Sequence, residues 1–327
     1  MNMMVPPRLV RGNGMRVIAP ARSLALISKD SQIIANKRIT DLGLTLTFGT
    51  HVSECDAFMS SSIASRIEDL HAAFSDTAVQ FVSTVIGGFN SNQLLPYIDF
   101  DLIKSNPKIF CGYSDITALS NAIYARTGLV TYSGPHYANF GEQLYFNYSL
   151  EHLKKCFFSD APYAMMPSGQ WFNDEWWLRQ DDRHPIKNDG LIVIQEGEAS
   201  GTIIGGNLRT FHYLAGTAYR PSLENSILFL EEDLCEDVMH FDSHLTAISQ
   251  LPDFDGVRGV VIGRFQPESR VTVAMLKMVI ANNKRLRGLP VLYGADFGHT
   301  TPQIAFPIGG TASITTASSP SILITTH

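Results

Sequence analysis

The strongest constraint on the fold lies between Arg16 and Gly128, where short apolar runs alternate with stretches of helical spacing. Arg16 to Pro20 (RVIAP) is an apolar run ended by proline, Gln32 to Gly43 has helical spacing, and Leu44 to Phe48 reads as a second strand. In IASRIEDLHAAF at 63–74, Ile63, Ile67, Leu70 and Phe74 share one helical face, and the strand VQFVSTVIGG follows. A helical stretch from Asn92, the strand KIFCG at 108–112 and a helix from Asp115 to about Arg126, closed by Gly128, complete the series. Strands separated by helices predict a parallel sheet covered by helices.

At 327 residues, and with roughly 100–200 residues per domain, the chain is long enough for about two domains. The expected division is 1–165 as an N-terminal α/β domain, 166–189 as a loop or linker, and 190–327 as a C-terminal mixed α/β domain. Between Pro162 and Gly190 the periodicity breaks into PSGQWFNDEWWLRQDDRHPIKNDG, which holds all three tryptophans, Trp171, Trp176 and Trp177. A loop of this length is either functional or pinned to the body by its indoles. Beyond it, LIVIQEG, SILFLEED, GVVIGRF and LPVLYGADFG read as buried strands, with helices near 207–216, 240–250 and 271–285.

Composition removes several function classes. With 25 Lys+Arg against 31 Asp+Glu the formal charge is -6, so no basic surface awaits a nucleic-acid backbone. No run approaches the roughly 18 apolar residues of a membrane span, and the N-terminus lacks the apolar stretch of a signal peptide, which points to a cytoplasmic protein. Cys55, Cys111, Cys156 and Cys235 show no C-x-x-C spacing, so they are expected to be reduced and structural.

Chemistry is most legible in Gly112-Tyr113-Ser114-Asp115, where an apolar strand runs straight into a serine and a helix leaves it. Such a turn exposes a hydroxyl above the sheet, with backbone N–H groups and a helix dipole aimed at a developing oxyanion. Ile116 replaces the second glycine of G-x-S-x-G, and on this segment alone Ser114 reads first as a helix N-cap and only then as a nucleophile. A nucleophilic serine needs a base and an orienting acid. His299, in Gly298-His299-Thr300-Thr301-Pro302 after LPVLYGADFG, and Glu231, at the end of SILFL, both emerge where buried strands end. Gly87-Gly88 ends the strand before the serine and would let backbone approach a ligand, or simply make a tight turn.

Two other motifs fail on inspection. Gly201 to Leu208 mimics P-loop spacing but has Asn207 in place of lysine and Leu208 in place of Ser/Thr. In H-F-D-S-H at 240–244 Phe241 stands where a zincin has glutamate, so the two histidines read as a solvated helix face and no metal is expected.

Taken together, the strings resemble the serine L,D-carboxypeptidases, and within them the microcin C self-immunity subgroup. The resemblance runs through LHAAFSD at 70–76, IGGFNSNQLLPYID at 86–99, CGYSDITAL at 111–119, IIGGNL at 203–208, LFLEED at 228–233 and FGHTTPQIAFPIG at 297–309. It implies Ser114 as nucleophile, His299 as base and Glu231 as orienting acid, with an oxyanion hole from the N–H groups of Asp115 and Gly88. The neighbouring Glu232 competes with Glu231 for that acid role. The turn IGGFNSN in place of R-G-G-Y-G, and the EWWLRQ loop at 175–180, resemble the immunity proteins rather than the peptidoglycan enzymes. That likeness implies a nucleotide-stacking indole, Trp177 or alternatively Trp176, with Asn207 also expected at the substrate. It further implies a cofactor-free homodimer that cleaves a peptide–nucleotide, or else a murein tetrapeptide.

Overall fold

The computed structural model describes residues 3–317 and 319–327 as a mixed α/β structure built on two large sheets. The first is six-stranded. Its strands Thr45–Phe48, Gly14–Ile18, Val79–Thr84, Ile109–Cys111 and Thr131–Ser133 are parallel to their neighbours. The inner strands feed two buried clusters, Val17, Phe81, Ile109 and Cys111 in one and Ile18, Val82 and Phe110 in the other, as a sheet covered on both faces requires. Helices Lys29–Asp41 and Ile63–Ser75 are capped by Ser28 and Ser62, whose hydroxyls accept from Ser31 N and Ser65 N. The anticipated apolar face of the second is real, with Leu70 and Phe74 fully buried and Ile63 and Ile67 packed at its rim.

The second sheet is eight-stranded and mixed. Its centre is the parallel set Glu198–Asn207, Ser226–Glu231, Val257–Gly263 and Val291–Ala295. Antiparallel strands flank it, namely Ile192–Gln195 on one side and Thr311–Thr315, Ser321–Thr326 and Tyr163–Ala164 on the other. Two segments cross over between the halves of the chain. Tyr163–Ala164 pairs into the second sheet, and Phe306–Ile308 pairs antiparallel with Thr131–Ser133 to close the edge of the first.

Between the sheets lies the helix Thr117–Thr127, buried along nearly its whole length and closed by Gly128 in the left-handed region. Its small polar residues bring it close to the strand Glu198–Asn207. Asn121 Nδ2 donates to Gly205 O at 2.7 Å, and Asn207 N donates to Thr117 Oγ1 at 3.0 Å. A Cβ at Gly206, φ +121, would stand 2.5 Å from Thr117 Oγ1, so the second glycine of the P-loop-like spacing lets helix and strand meet.

The structure corrects the sequence reading in three places. The stretch from Asn92 is a 3-10 turn, Ser91–Tyr97, with Pro96 inside it, followed by the short helix Phe100–Ser105. Residues 198–207, which overlap the failed phosphate-loop spacing of Gly201 to Leu208 and are assigned to no strand in the sequence reading, form the longest strand among the described residues. His244 is not on a solvated face, because its ring turns inward to stack on His212 and its Nδ1 lies 3.2 Å from Glu232 Oε1.

Candidate active site

Ser114 follows the strand Ile109–Cys111 after two residues and has φ +59, a left-handed conformation that costs a non-glycine residue about 1 kcal/mol or more. Its side chain caps no N–H, so the N-cap reading is set aside. The cramped turn needs glycine beside it. A Cβ at Gly112 would stand 2.2 Å from Thr84 Oγ1, and one at Gly87 would stand 2.9 Å from Ser114 Cβ. Neither Asp115 N nor Gly88 N donates to an acceptor among the described residues; Asp115 directly follows the serine, and Gly88 follows Gly87, which packs against the serine side chain. The Asp115 side chain ties the segment that follows Gly88 to the serine turn. Its Oδ2 accepts from Asn90 N at 3.1 Å and Ser91 N at 2.9 Å, while Ser91 Oγ donates to Asp115 O.

The histidine and the acids sort themselves by geometry. His299 Nε2 is 3.1 Å from Ser114 Oγ, and His299 Nδ1 is 2.7 Å from Glu231 Oε2. Glu232 points the other way, its Oε2 accepting from Asn207 Nδ2 at 3.2 Å and its Oε1 facing His244. Gly298, φ +111, permits the approach of Glu231, because a Cβ there would stand 3.0 Å from Glu231 Oε2. Burial pulls the His299 imidazole down, but the Glu231 carboxylate and its hydrogen bond outweigh this and leave the pKa raised. Burial pushes Glu232 up to about 7. Tyr113 wedges between two rings, 4.3 Å from His136 and 5.3 Å from His299. Burial, helped by the nearby His299, holds His136 well below the usual range, so it stays neutral beside the site.

The Trp-rich segment is anchored to the histidine turn. Phe172 N donates to Thr301 O at 2.7 Å, and Thr301 N returns a bond to Phe172 O at 3.0 Å. Arg183, whose side chain is 2 % exposed, holds the loop to the body through Glu142 at 2.7 Å and Asp174 at 2.6 Å, with the Phe172 ring 4.6 Å below its guanidinium. The loop is thus pinned to the body chiefly by Phe172 and Arg183. Trp176 is 5 % exposed and packs edge-on against Trp177, whereas Trp177 is 53 % exposed. Of the two, Trp177 alone offers a free face. Asn207 is buried and largely committed, its Oδ1 capping the helix Leu208–His212 through Thr210 N and its amide donating to Glu232. Any ligand contact would use its one remaining amide proton.

Sequence reasoning missed Arg22. Its Nε donates to Gly87 O at 3.0 Å, which fixes the peptide plane whose other end is the Gly88 N–H. Its position after Ala-Pro-Ala in a loop gave no periodic signal. Among the described residues no cluster of three His, Cys, Asp or Glu side chains is arranged to hold a metal ion, and no helix is long and apolar enough to cross a membrane.

Comparison with known proteins agrees with this layout. Residues 15–134 match the LD-carboxypeptidase N-terminal domain and residues 200–314 match the LD-carboxypeptidase C-terminal domain. The chain is 46 % identical over 311 residues to a Bacillus subtilis protein named as a carboxypeptidase, YocD, covering 95 % of this chain and 96 % of that one. The structure of an MccF-like protein from Bacillus anthracis is 47 % identical, with a TM-score of 0.98 and coverage of 99 % and 100 %. The microcin C7 self-immunity protein MccF in complex with aspartyl sulfamoyl adenosine superposes with a TM-score of 0.90 at 26 % identity, covering 99 % of each chain.

Proposed function

The chain belongs to the LD-carboxypeptidase family, and we propose that it is a serine carboxypeptidase of the self-immunity type, cleaving an acyl bond between an aspartyl residue and a nucleotide moiety. The observation that carries the catalytic part is the relay from Glu231 through His299 to a strained Ser114. His299 Nε2 takes the Ser114 hydroxyl proton while Oγ attacks the scissile carbonyl carbon. The resulting oxyanion is met by the Asp115 and Gly88 N–H groups. The carbonyl–nitrogen bond then breaks, the leaving nitrogen receives the proton from His299, and the acyl group remains on Ser114. Water, deprotonated by the same imidazole, cleaves the ester and restores the hydroxyl. Glu231 keeps the imidazole in the tautomer that presents a bare Nε2 and balances its charge once protonated.

The nucleotide part rests on Trp177, whose exposed indole sits in a segment hydrogen-bonded to the His299 turn. Stacking on a base supplies roughly 1–3 kcal/mol without reading base edges. The family description favours a second reading, release of a terminal D-amino acid from a murein tetrapeptide by the same steps. A cytoplasmic homodimer belongs to the same proposal. Incubation with an aspartyl-sulfamoyl adenosine and with a murein tetrapeptide, read by mass spectrometry, separates the two. Release of the nucleoside by the wild type and none by Ser114→Ala is expected, with Trp177→Ala impairing the nucleoside substrate at least tenfold more than the peptide. D-Alanine release alone would favour the second reading, and turnover by Ser114→Ala would remove the serine mechanism.

A further inference from the structure

We infer that Arg22 reads a negative charge on the leaving group, two or three bonds beyond the scissile carbonyl. The inference rests on the serine carboxypeptidase reading above and asks how such an enzyme selects chain ends. Arg22 is half-buried and held from two sides. Its Nε is fixed on Gly87 O at 3.0 Å, and its stem lies against Gly88, where an added Cβ would stand 3.2 Å from Arg22 Cγ. Its terminal nitrogens, Nη1 and Nη2, have no hydrogen-bond or ion-pair partner among the described residues and are not among the enclosed unpaired atoms. A guanidinium anchored by one nitrogen and open at the other two is a preorganised fork for an oxyanion pair.

The surrounding charges give this fork its purpose. The site is otherwise acidic, with Glu231, Glu232, Asp233 and Glu236 in one run. The neighbouring cations are spent. Arg209 pairs with Glu236 at 2.5 Å and Asp233 at 3.7 Å, and Arg66 is buried on Pro20 O, Asn90 O and Gln93 Oε1. Among the described residues Arg22 is an unpaired cation next to the Gly87–Gly88 turn, and its field reaches Tyr113 and His136. A substrate whose departing nitrogen carries a carboxylate, or a sulfamoyl or phosphoryl group, would otherwise meet net repulsion there. The shared chemistry is an anion close to the departing nitrogen; a terminal amino acid and a nucleotide are its two sources.

The test is a ratio. For wild type, Arg22→Met and Arg22→Lys, kcat/KM is measured on a murein-type peptide ending in D-alanine, on the same peptide ending in D-alaninamide, and on aspartyl-sulfamoyl adenosine. Loss of the Gly87 contact slows all reactions of Arg22→Met, but the carboxylate-to-amide preference is expected to fall by a further tenfold to hundredfold, with Arg22→Lys recovering part of it. The substrate that shows the larger selective loss identifies the source of the anion. An unchanged preference in Arg22→Met would overturn the inference and leave Arg22 as a positioning residue for the Gly88 N–H. Failure of the wild type to cleave any of the three, with no labelling of Ser114 by a fluorophosphonate, would instead overturn the carboxypeptidase reading and this inference with it.

Discussion

At the residue scale the pairing of Glu231 with His299 sets a pH dependence whose sign can be worked out. The base must be neutral to accept the Ser114 proton, and the carboxylate 2.7 Å away raises the imidazole pKa above its usual value near 6.5. Activity is therefore gained as pH rises through the raised pKa, and the acid limb of kcat/KM lies above about 6.5. Glu231→Gln removes the charge while burial, which lowers the pKa, remains. Its acid limb is expected at lower pH, with the plateau reduced on the order of 10⁴-fold because the tautomer is no longer enforced. An acid limb that stayed in place would mean that Glu231 does not face the working imidazole. The same residues show what the sequence could reveal. Ser114, Glu231 and His299 were legible because each stands just past an apolar run, where a parallel sheet presents its working end. The choice between Glu231 and Glu232 was open, since it depends on the direction each carboxylate leaves the strand, and adjacent residues leave on opposite faces. Arg22 was invisible because a loop arginine gains its meaning from the carbonyl it meets.

At the scale of elements, the helix Thr117–Thr127 and the strand Glu198–Asn207 decide whether the serine turn is rigid. Asp115 and Gly128 mark the ends of the helix in the sequence, whereas nothing in it marks the strand. The helix is buried all round, so its sequence has no apolar stripe, and the strand is rich in glycine, which ordinarily weakens a strand. Their contact explains both compositions, since the helix brings threonine and asparagine and the strand brings the missing Cβ atoms. Gly206→Ala would place a methyl 2.5 Å from Thr117 Oγ1 at a φ of +121. Overpacking and backbone strain together are expected to cost about 2–4 kcal/mol in urea unfolding. Because Thr117 begins the helix that leaves Ser114, the folded variant is also expected to lose activity. A variant as stable as wild type would show that helix and strand are not locked at this point.

At the scale of the whole molecule, the functional groups come from both halves, with Ser114 from the first sheet and Glu231 and His299 from the second. The division at 165 and 190 expected from sequence is crossed twice, by Tyr163–Ala164 entering the second sheet and by Phe306–Ile308 closing the first. These crossings are short segments of two and three residues, too brief to leave a periodic signal. Their energetic weight is large for their length. The strand Thr131–Ser133 is fully buried and takes its antiparallel partner from Phe306–Ile308, so a fragment ending at 165 would expose a sheet edge beside Tyr132. The helix Thr117–Thr127 would lose Gly205 and Gly206, and its inward-facing Asn121 would lose the carbonyl to which it donates. Fragments 1–165 and 166–327 expressed separately are therefore expected to lack cooperative thermal unfolding and to aggregate. Co-expressed, they are expected to assemble and recover turnover, because each supplies the strand the other lacks. An isolated 1–165 fragment that unfolded cooperatively would show that the first sheet is closed without its borrowed strand, and that the relay between Ser114 and His299 depends on docking of two independent domains.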